Sequence, residues 1–354
     1  MAFLKVSNVS LVGMSACVPP DLLKTEDIYV WEGSSSFIET TGISEKRCAA
    51  QNVCSSDLCL NAAERLLDGL NWKRDEIDAI VFVSQTSDYI LPSTAPIIQD
   101  KLGANKNCFT LDISLGCSGW VYALGVLSSL MQNGSIKKGL LLAGDTLSKI
   151  CSEKDKSTFP IFGDAGTATA LQFNEQSKGL SFVFHSDGAG YQDIIVPDGG
   201  GRNRVDLTSI QDKQIADEII RSRVNLEMDG MSVFAFGISK VPNLVNELLD
   251  HYKIDSEDVD LYCFHQANYM MNEKIRRKLK LSKQKVPYSL DKFGNTSCAS
   301  IPLTLVSQCR EELKEKKVKH IGCGFGVGLS WGAVYYETNC MCCPELIEFG
   351  INYV

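Results

Sequence analysis

The sequence predicts an α/β protein made of two similar halves related by a pseudo-two-fold axis. One observation behind this is the alternation of strand-length apolar runs with helical patterns along almost all of the 354 residues. That order builds a largely buried parallel or mixed sheet flanked by helices. The other is self-similarity. A helical segment followed by DEIDAIVFVSQ (75–85) recurs as a helical segment followed by SEDVDLYCFHQ (256–266), with the same acidic lead-in to an apolar strand. Farther along, LDISLGCSG, a helix and KKGLLLAGD are matched by SLDKFGNTS, a helix and VKHIGCGFG. Both matches keep one order and an offset of about 180 residues, which marks a duplication and is far too long a period for a solenoid. Gly116-Cys117 of the first copy falls on Gly294-Asn295 of the second, so equivalent loops should face each other across the middle.

Taken in chain order, short apolar runs rich in Val, Ile, Leu and Phe predict strands at Val9 to Val12, Ala79 to Val83, Phe109 to Ile113, Gly139 to Ala143 and Thr167 to Phe173 in the first half. In the second half they predict Leu261 to Phe264, His320 to Cys323 and Trp331 to Tyr336. Longer stretches with helical spacing of apolar residues predict helices at Asp57 to Leu70, Ser118 to Gln132, Ser232 to Tyr252, Asn268 to Leu281 and Ile301 to Lys314. The halves divide at residues 1–178 and 179–354, with a short extension at 340–354 that has no counterpart in the repeat. No Gly/Ser or Pro linker joins them. The irregular polar stretch 187–209 reads either as an excursion over an active-site surface or as a plain surface loop.

Composition narrows the function. With 44% apolar and 22% charged residues, 28 Gly and 10 Pro, the chain is globular in character. Lys and Arg number 35 against 43 Asp and Glu, a net charge of −8, so it is not built to coat a phosphate backbone. Tyr and Trp are too scattered for a nucleic-acid stacking surface. No stretch approaches the roughly 20 apolar residues of a membrane span. Fourteen cysteines in a chain that opens MAFLKVSNVSLVG, without a signal-peptide pattern, are expected to be reduced thiols in the cytoplasm. Cys340, Cys342 and Cys343 lack a fourth ligand at zinc spacing, and no metal is expected. The glycine-rich runs do not open a helix after a first strand, so no dinucleotide site is expected either.

Cys117 stands out among the thiols. It sits in SLGCSGWVYALGVL, after a strand and just before a helix with small residues at the turn. Backbone N–H groups and the positive end of a helix dipole there favour thiolate and predict a lowered pKa. A buried cysteine is otherwise usually a small hydrophobe. His265, one of four histidines, ends the strand LYCFH, where open α/β folds place ligands. Asn295, in KFGNTSCAS, is the repeat partner of Cys117, although Gly-Asn-Thr-Ser alone is a turn or cap signal. Together a thiol, an imidazole and a primary amide supply a nucleophile for acyl transfer and two neutral donors for a developing oxyanion. The loop GCGFGVGLSWG (322–332) adds exposed backbone N–H groups.

The strings LGCSG, FGDAGTATAL, HQAN, FGNTS and FGVGLSWGA, in this order over nearly the whole chain, resemble the 3-oxoacyl-(acyl-carrier-protein) synthase III family of the thiolase superfamily. The resemblance implies the thiolase-like duplicated αβαβα fold, a homodimer and a triad of Cys117, His265 and Asn295. It implies that an acyl thioester acylates Cys117, with the N–H groups of Cys117 and Val327 as oxyanion hole. A malonyl group on acyl carrier protein then loses CO2, and the enolate, held by His265 and Asn295, attacks the acyl-enzyme. It further assigns Phe325 to the decarboxylation site, Met228, Gly230 and Phe234 to the substrate tunnel, Asn268 to the pantetheine arm, and Leu91 to closure of the partner's acyl pocket. No cofactor beyond these thioester substrates is implied.

Some positions depart from the family pattern. The Trp and Arg that stack the CoA adenine in housekeeping members are matched nearest by Phe37 and Lys156, which stack less well. A carrier-docking Arg two residues after HQAN is Met270 here. The next helix still offers Lys274, Arg276, Arg277, Lys278 and Lys280 as a local basic face for an acidic carrier. These departures leave open a specialised synthase, or a C–O or C–N acyltransferase of a secondary or surface-polymer pathway. An idle carrier-binding subunit is the third reading, against which the intact triad argues.

Overall fold

The computed structural model describes residues 2–28 and 34–350. The strands of its two main sheets are β1 (Ala2–Val6), β2 (Val9–Val18), β3 (Ala79–Val83), β4 (Phe109–Ile113), β5 (Lys138–Asp145), β6 (Ala165–Phe173), β7 (Leu180–Ser186), β8 (Leu261–Phe264), β9 (Lys317–Gly326), β10 (Ser330–Asn339) and β11 (Ile347–Glu348). The main helices are α1 (Ser55–Leu70), α2 (Thr94–Leu102), α3 (Gly119–Met131), α4 (Gly230–Tyr252), α5 (Tyr269–Lys278), α6 (Ser300–Gln308) and α7 (Arg310–Glu315).

Two sheets form the frame, ordered β11-β2-β6-β5-β3-β4 and β1-β7-β10-β9-β8. The run β2-β6-β5-β3 reappears as β7-β10-β9-β8 with the same sense at each step: antiparallel, antiparallel, then parallel. The duplication read from the sequence is thus a duplication of topology. Every residue of β3 is buried, as a strand covered on both faces requires. Helices α3 and α6 each pack against both sheets and form the middle layer. Helix α3 is apolar nearly all round, which suits a helix buried along most of its surface. Outside lie α1 on the first sheet and α4 on the second, giving the thiolase-like αβαβα sandwich.

Each half lends an edge strand to the other. β1 pairs antiparallel with β7 of the second sheet, and β11 pairs parallel with β2 of the first. The extension expected at 340–354 is therefore a strap: Cys342 exchanges backbone hydrogen bonds with Val12 and Met14 on its way to β11. Its last four residues lie outside the described residues. The helix expected at Ile301 to Lys314 is two helices, because Cys309 leaves helical geometry (φ −119°, ψ 10°). Helix α2 was not among the expected elements; its first N–H groups, from Thr94 and Ala95, are capped by the Asp112 carboxylate at 2.6 and 2.7 Å, a tertiary cap without a local sequence signal. Among the described residues no helix is long and apolar enough to cross a membrane.

Candidate active site

The turn after β4 delivers Cys117 to the start of α3, where the Gly119 N–H closes the turn on the Gly116 carbonyl at 2.7 Å. The thiol is 8% exposed. The end of β9 comes so close that a Cβ on Gly326 would stand 2.7 Å from the Cys117 Cβ, and one on Gly324 would stand 2.8 Å from its carbonyl oxygen. Glycine is required at both positions for this approach. The contact is pinned by hydroxyls: Ser118 Oγ and Ser330 Oγ are 2.7 Å apart, and Ser330 Oγ donates to the Val327 carbonyl at 2.9 Å. As a result the backbone N–H groups of Val327 and Cys117 both reach the thiol.

The expected lowering of the Cys117 pKa is not what the structure gives. Burial pushes it up to about 12 and the Asp145 carboxylate adds to the rise, against the Val327 N–H, the Ser297 hydroxyl and its own N–H. Among the described residues none of the groups that act most strongly on the thiol is a cation, so the helix end is outweighed by loss of water. Asp145 is itself fully buried at the end of β5, and accepts hydrogen bonds from the Ser84 hydroxyl, the Gln85 and Thr86 N–H groups and the Thr86 hydroxyl.

His265 directly follows β8 and is 1% exposed. Burial pushes its pKa down to about 3, partly offset by a backbone hydrogen bond with Ser297, so the imidazole is neutral. Its Nδ1 lies 2.7 Å from Ser300 Oγ at the start of α6, and its ring meets Phe325 edge-on with centroids 5.5 Å apart. Asn295 Oδ1 accepts the Ser297 N–H at 2.9 Å, which leaves the amide nitrogen for a ligand. The Asn295 backbone is clamped to a neighbouring segment, its N–H donating to the Ile161 carbonyl at 2.9 Å and its carbonyl accepting from Gly163 at 3.0 Å.

Cys117, His265 and Asn295 line one cavity of about 590 Å³. Of the other residues singled out in the sequence, Met228, Gly230, Asn268, Phe325 and Val327 also line it. The remaining wall is largely aliphatic and aromatic, with Leu147, Ile150, Ile161, Phe162, Ile194 and Leu226, and among the described residues no Asp, Glu, Lys or Arg contributes to it.

The expectations for Phe234, Arg276 and Lys278 need correction. Phe234 does not line the cavity: its helical neighbour Val233 does, and the Phe234 ring lies under Lys274, 4.8 Å from the ammonium. Arg276 is not offered to a partner. It is held by both oxygens of Glu273, at 2.7 and 2.9 Å, and by the Leu281 carbonyl. The same contacts hold the Glu273 carboxyl near pKa 2. Lys278 donates to the Ile238 carbonyl at 2.8 Å, whereas the Arg277 side chain is 73% exposed. Lys280 lies just past α5 with φ 56°. Asn268 caps α5 by accepting the Met271 N–H at 2.8 Å. Lys156 is paired with Glu218 at 2.7 Å, and Phe37 sits half-buried on the short helix Ser34–Thr41. Leu91 lies outside the cavity and is 84% exposed beside Ile90 at 92%. Reading by residue type missed Ser297, Ser300 and Asp145, which act on the triad; only their adjacency to FGNTS or to a strand end pointed to them.

A buried thiol, a neutral imidazole and a free amide nitrogen in a largely apolar cavity, on a thiolase-like fold, define an acyl-transferring condensing enzyme. The comparisons name its family. The family model for 3-oxoacyl-[acyl-carrier-protein] synthase III matches residues 111–188, and the model for the C terminal of 3-oxoacyl-[acyl-carrier-protein] synthase III matches residues 249–338. A beta-ketoacyl-[acyl-carrier-protein] synthase III of Caldanaerobacter subterraneus is 33% identical over 91% of this chain and 96% of its own, and one of Streptococcus agalactiae is 31% identical over 94% and 99%. The crystal structure of a 3-oxoacyl-(acyl-carrier protein) synthase from Burkholderia xenovorans superposes with a TM-score of 0.92 at 36% identity, covering 98% of this chain and 99% of that one. The chain belongs to the 3-oxoacyl-[acyl-carrier-protein] synthase III family.

Proposed function

We propose that this enzyme condenses an uncharged acyl primer with malonyl-(acyl carrier protein), and that Cys117, His265 and Asn295 divide the work. Cys117 attacks the primer thioester. Its proton leaves with the departing thiol, and the acyl oxyanion is met by the N–H groups of Cys117 and Val327. The malonyl thioester then loses CO2, and the negative charge that appears on its carbonyl oxygen is held by the Asn295 amide nitrogen and by His265 Nε2, protonated when the Ser300 hydroxyl donates to Nδ1. The enolate carbon attacks the acyl-enzyme carbonyl, the tetrahedral adduct expels Cys117, and a 3-oxoacyl thioester leaves on the carrier. A neutral imidazole suits this step, since it donates a hydrogen bond without giving up a proton.

The observation that carries this reading is the convergence of all three residues on one cavity whose wall, among the described residues, carries no charge. An aliphatic lining favours an apolar primer and penalises a carboxylated or cationic one. Carrier docking rests on Lys274, Arg277 and Lys280 rather than on Arg276. A homodimer is supported by β4, an edge strand with one free side, and by Phe109, Val126 and Leu130, which are 42%, 38% and 37% exposed. In such a dimer the exposed Leu91 loop is available to close the partner's pocket. Cytoplasmic residence is supported by the cysteines, all of which are unpaired. Intact-protein mass spectrometry with a panel of acyl-CoAs and acyl-carriers tests the reading. A Cys117-dependent adduct, discharged by malonyl-carrier, is expected; an adduct that persists in Cys117→Ala would overturn it.

A further inference from the structure

Lys46 is 1% exposed, on the short strand Glu45–Arg47 that pairs with Leu22–Lys24. Instead of a carboxylate, its ammonium takes two backbone carbonyls, those of Phe159 and Phe162, the latter at 3.1 Å, and stands 3.8 Å from the Phe159 ring centroid. Burying a cation whose hydrogen bonds go to carbonyls is costly: loss of water lowers the Lys46 pKa, opposed by Cys48, Cys151, Asp164 and Glu153 at longer range. What those carbonyls belong to explains the placement. The carbonyl of Phe162 and the N–H of Gly163 are the two ends of one peptide group, and that N–H donates to the Asn295 carbonyl at 3.0 Å. One residue earlier, the Ile161 carbonyl takes the Asn295 N–H at 2.9 Å. Hydrogen bonds linked through a peptide polarise one another, so the lysine strengthens the bond that clamps Asn295.

The three segments meet without slack. A Cβ on Gly163 would stand 2.1 Å from the Phe293 carbonyl oxygen, and one on Gly294 would stand 2.7 Å from that of Ile161. The Lys46 Cβ would be 3.4 and 3.5 Å from those same positions. Ile161 and Phe162 also form cavity wall, whereas Lys46 does not touch the cavity.

We propose that Lys46 is a positioning residue for the condensation step, holding Asn295 at its working geometry through the Phe162–Gly163 peptide. The proposal rests on the reading of Asn295 given above. It separates the two half-reactions: acylation, which uses Cys117 and the Val327 N–H, does not depend on this clamp, and enolate stabilisation does.

The test uses the full-length enzyme as Lys46→Gln, Lys46→Met, Lys46→Arg and Asn295→Ala. Acylatable sites are titrated by intact mass with an acyl donor, and condensation with malonyl-carrier is expressed per titrated site, which removes differences in folded fraction. Lys46→Met and Lys46→Gln should lower condensation per site by about tenfold, with acylation rate and KM for malonyl-carrier changed by less than about twofold. Lys46→Arg, which restores a cation, should recover most of the loss. Unchanged condensation per site, or acylation falling in parallel, would overturn the proposal, as would failure of both neutral variants to fold, which would assign Lys46 to folding alone. Normal condensation by Asn295→Ala would instead show that the role given to Asn295 is wrong, whatever the Lys46 variants do.

Discussion

Gly326 lies against Cys117 so closely that a methyl group added to it would sit 2.9 Å from the Cys117 sulfur. The contact joins the turn after β4 to the end of β9, one from each half of the duplication, and brings the Val327 N–H to the thiol. Gly326→Ala must push the two apart. We expect a folded protein whose acylation is slower by about 100-fold, the scale of a displacement near 1 Å at a reacting centre. Rapid-quench acylation measured alongside the thermal midpoint checks this, and a near-normal rate would show that the loop does not form the oxyanion hole.

The buried thiol predicts an unusual pH dependence. A cysteine whose pKa is pushed up to about 12 is protonated at neutral pH and becomes thiolate only as pH rises. Alkylation of Cys117 by iodoacetamide should keep accelerating beyond about pH 9, with no plateau between about pH 6 and 8. A neutral-pH plateau would place a preformed thiolate in the cavity.

The two half-reactions should come apart on mutation. Cys117→Ala should abolish the acyl-enzyme. Asn295→Ala should still acylate but lose condensation by about 100- to 1000-fold, the cost of one donor at a developing oxyanion. Single-turnover acylation and steady-state condensation, measured on the same preparations, separate these outcomes.

Acid should act on stability rather than on the imidazole. His265 in the fold has its pKa lowered from 6.5 to about 3, so between those values the unfolded chain binds a proton that the folded one does not. Stability therefore falls as pH drops below 6.5 and continues to fall towards 3. Buried His320, also lowered to about 3, acts in the same direction. Thermal midpoints between about pH 7 and 5 should decline less steeply in His265→Gln. An equal slope would mean that the histidine is not held neutral.

Placing a charge on the open edge strand should prevent self-association. Phe109→Glu on β4 should convert a dimer to a monomer in sedimentation velocity at about 10 µM protein, a concentration well above the Kd of a standard-sized interface. A dimer that survives would put the interface elsewhere.

Much of the site was legible in the sequence because the duplication makes position informative. Once the two copies are aligned, Cys117 and Asn295 must face each other, and His265 marks a strand end. What residue types do not reveal is how each group is partnered. Arg276 reads as part of a basic face, yet Glu273 one turn earlier takes it; whether an (i, i+3) pair closes depends on rotamers and on Tyr288, which donates to the same carboxylate. Phe234 and Val233 differ by one residue, about 100° of helix phase, and only the seating of α4 decides which faces the cavity.

The sequence by itself determined the α/β class and the two-fold repeat, because these follow from local periodicity and from self-comparison, whereas the roles expected of Cys117, His265 and Asn295 rest on the family resemblance of their motifs. The tertiary structure alone decided the protonation of Cys117, the exchange of edge strands β1 and β11 between the halves, and the burial of Lys46 behind Asn295. Each of these depends on which distant segments exclude water from a given atom, and neither spacing nor residue type carries that information.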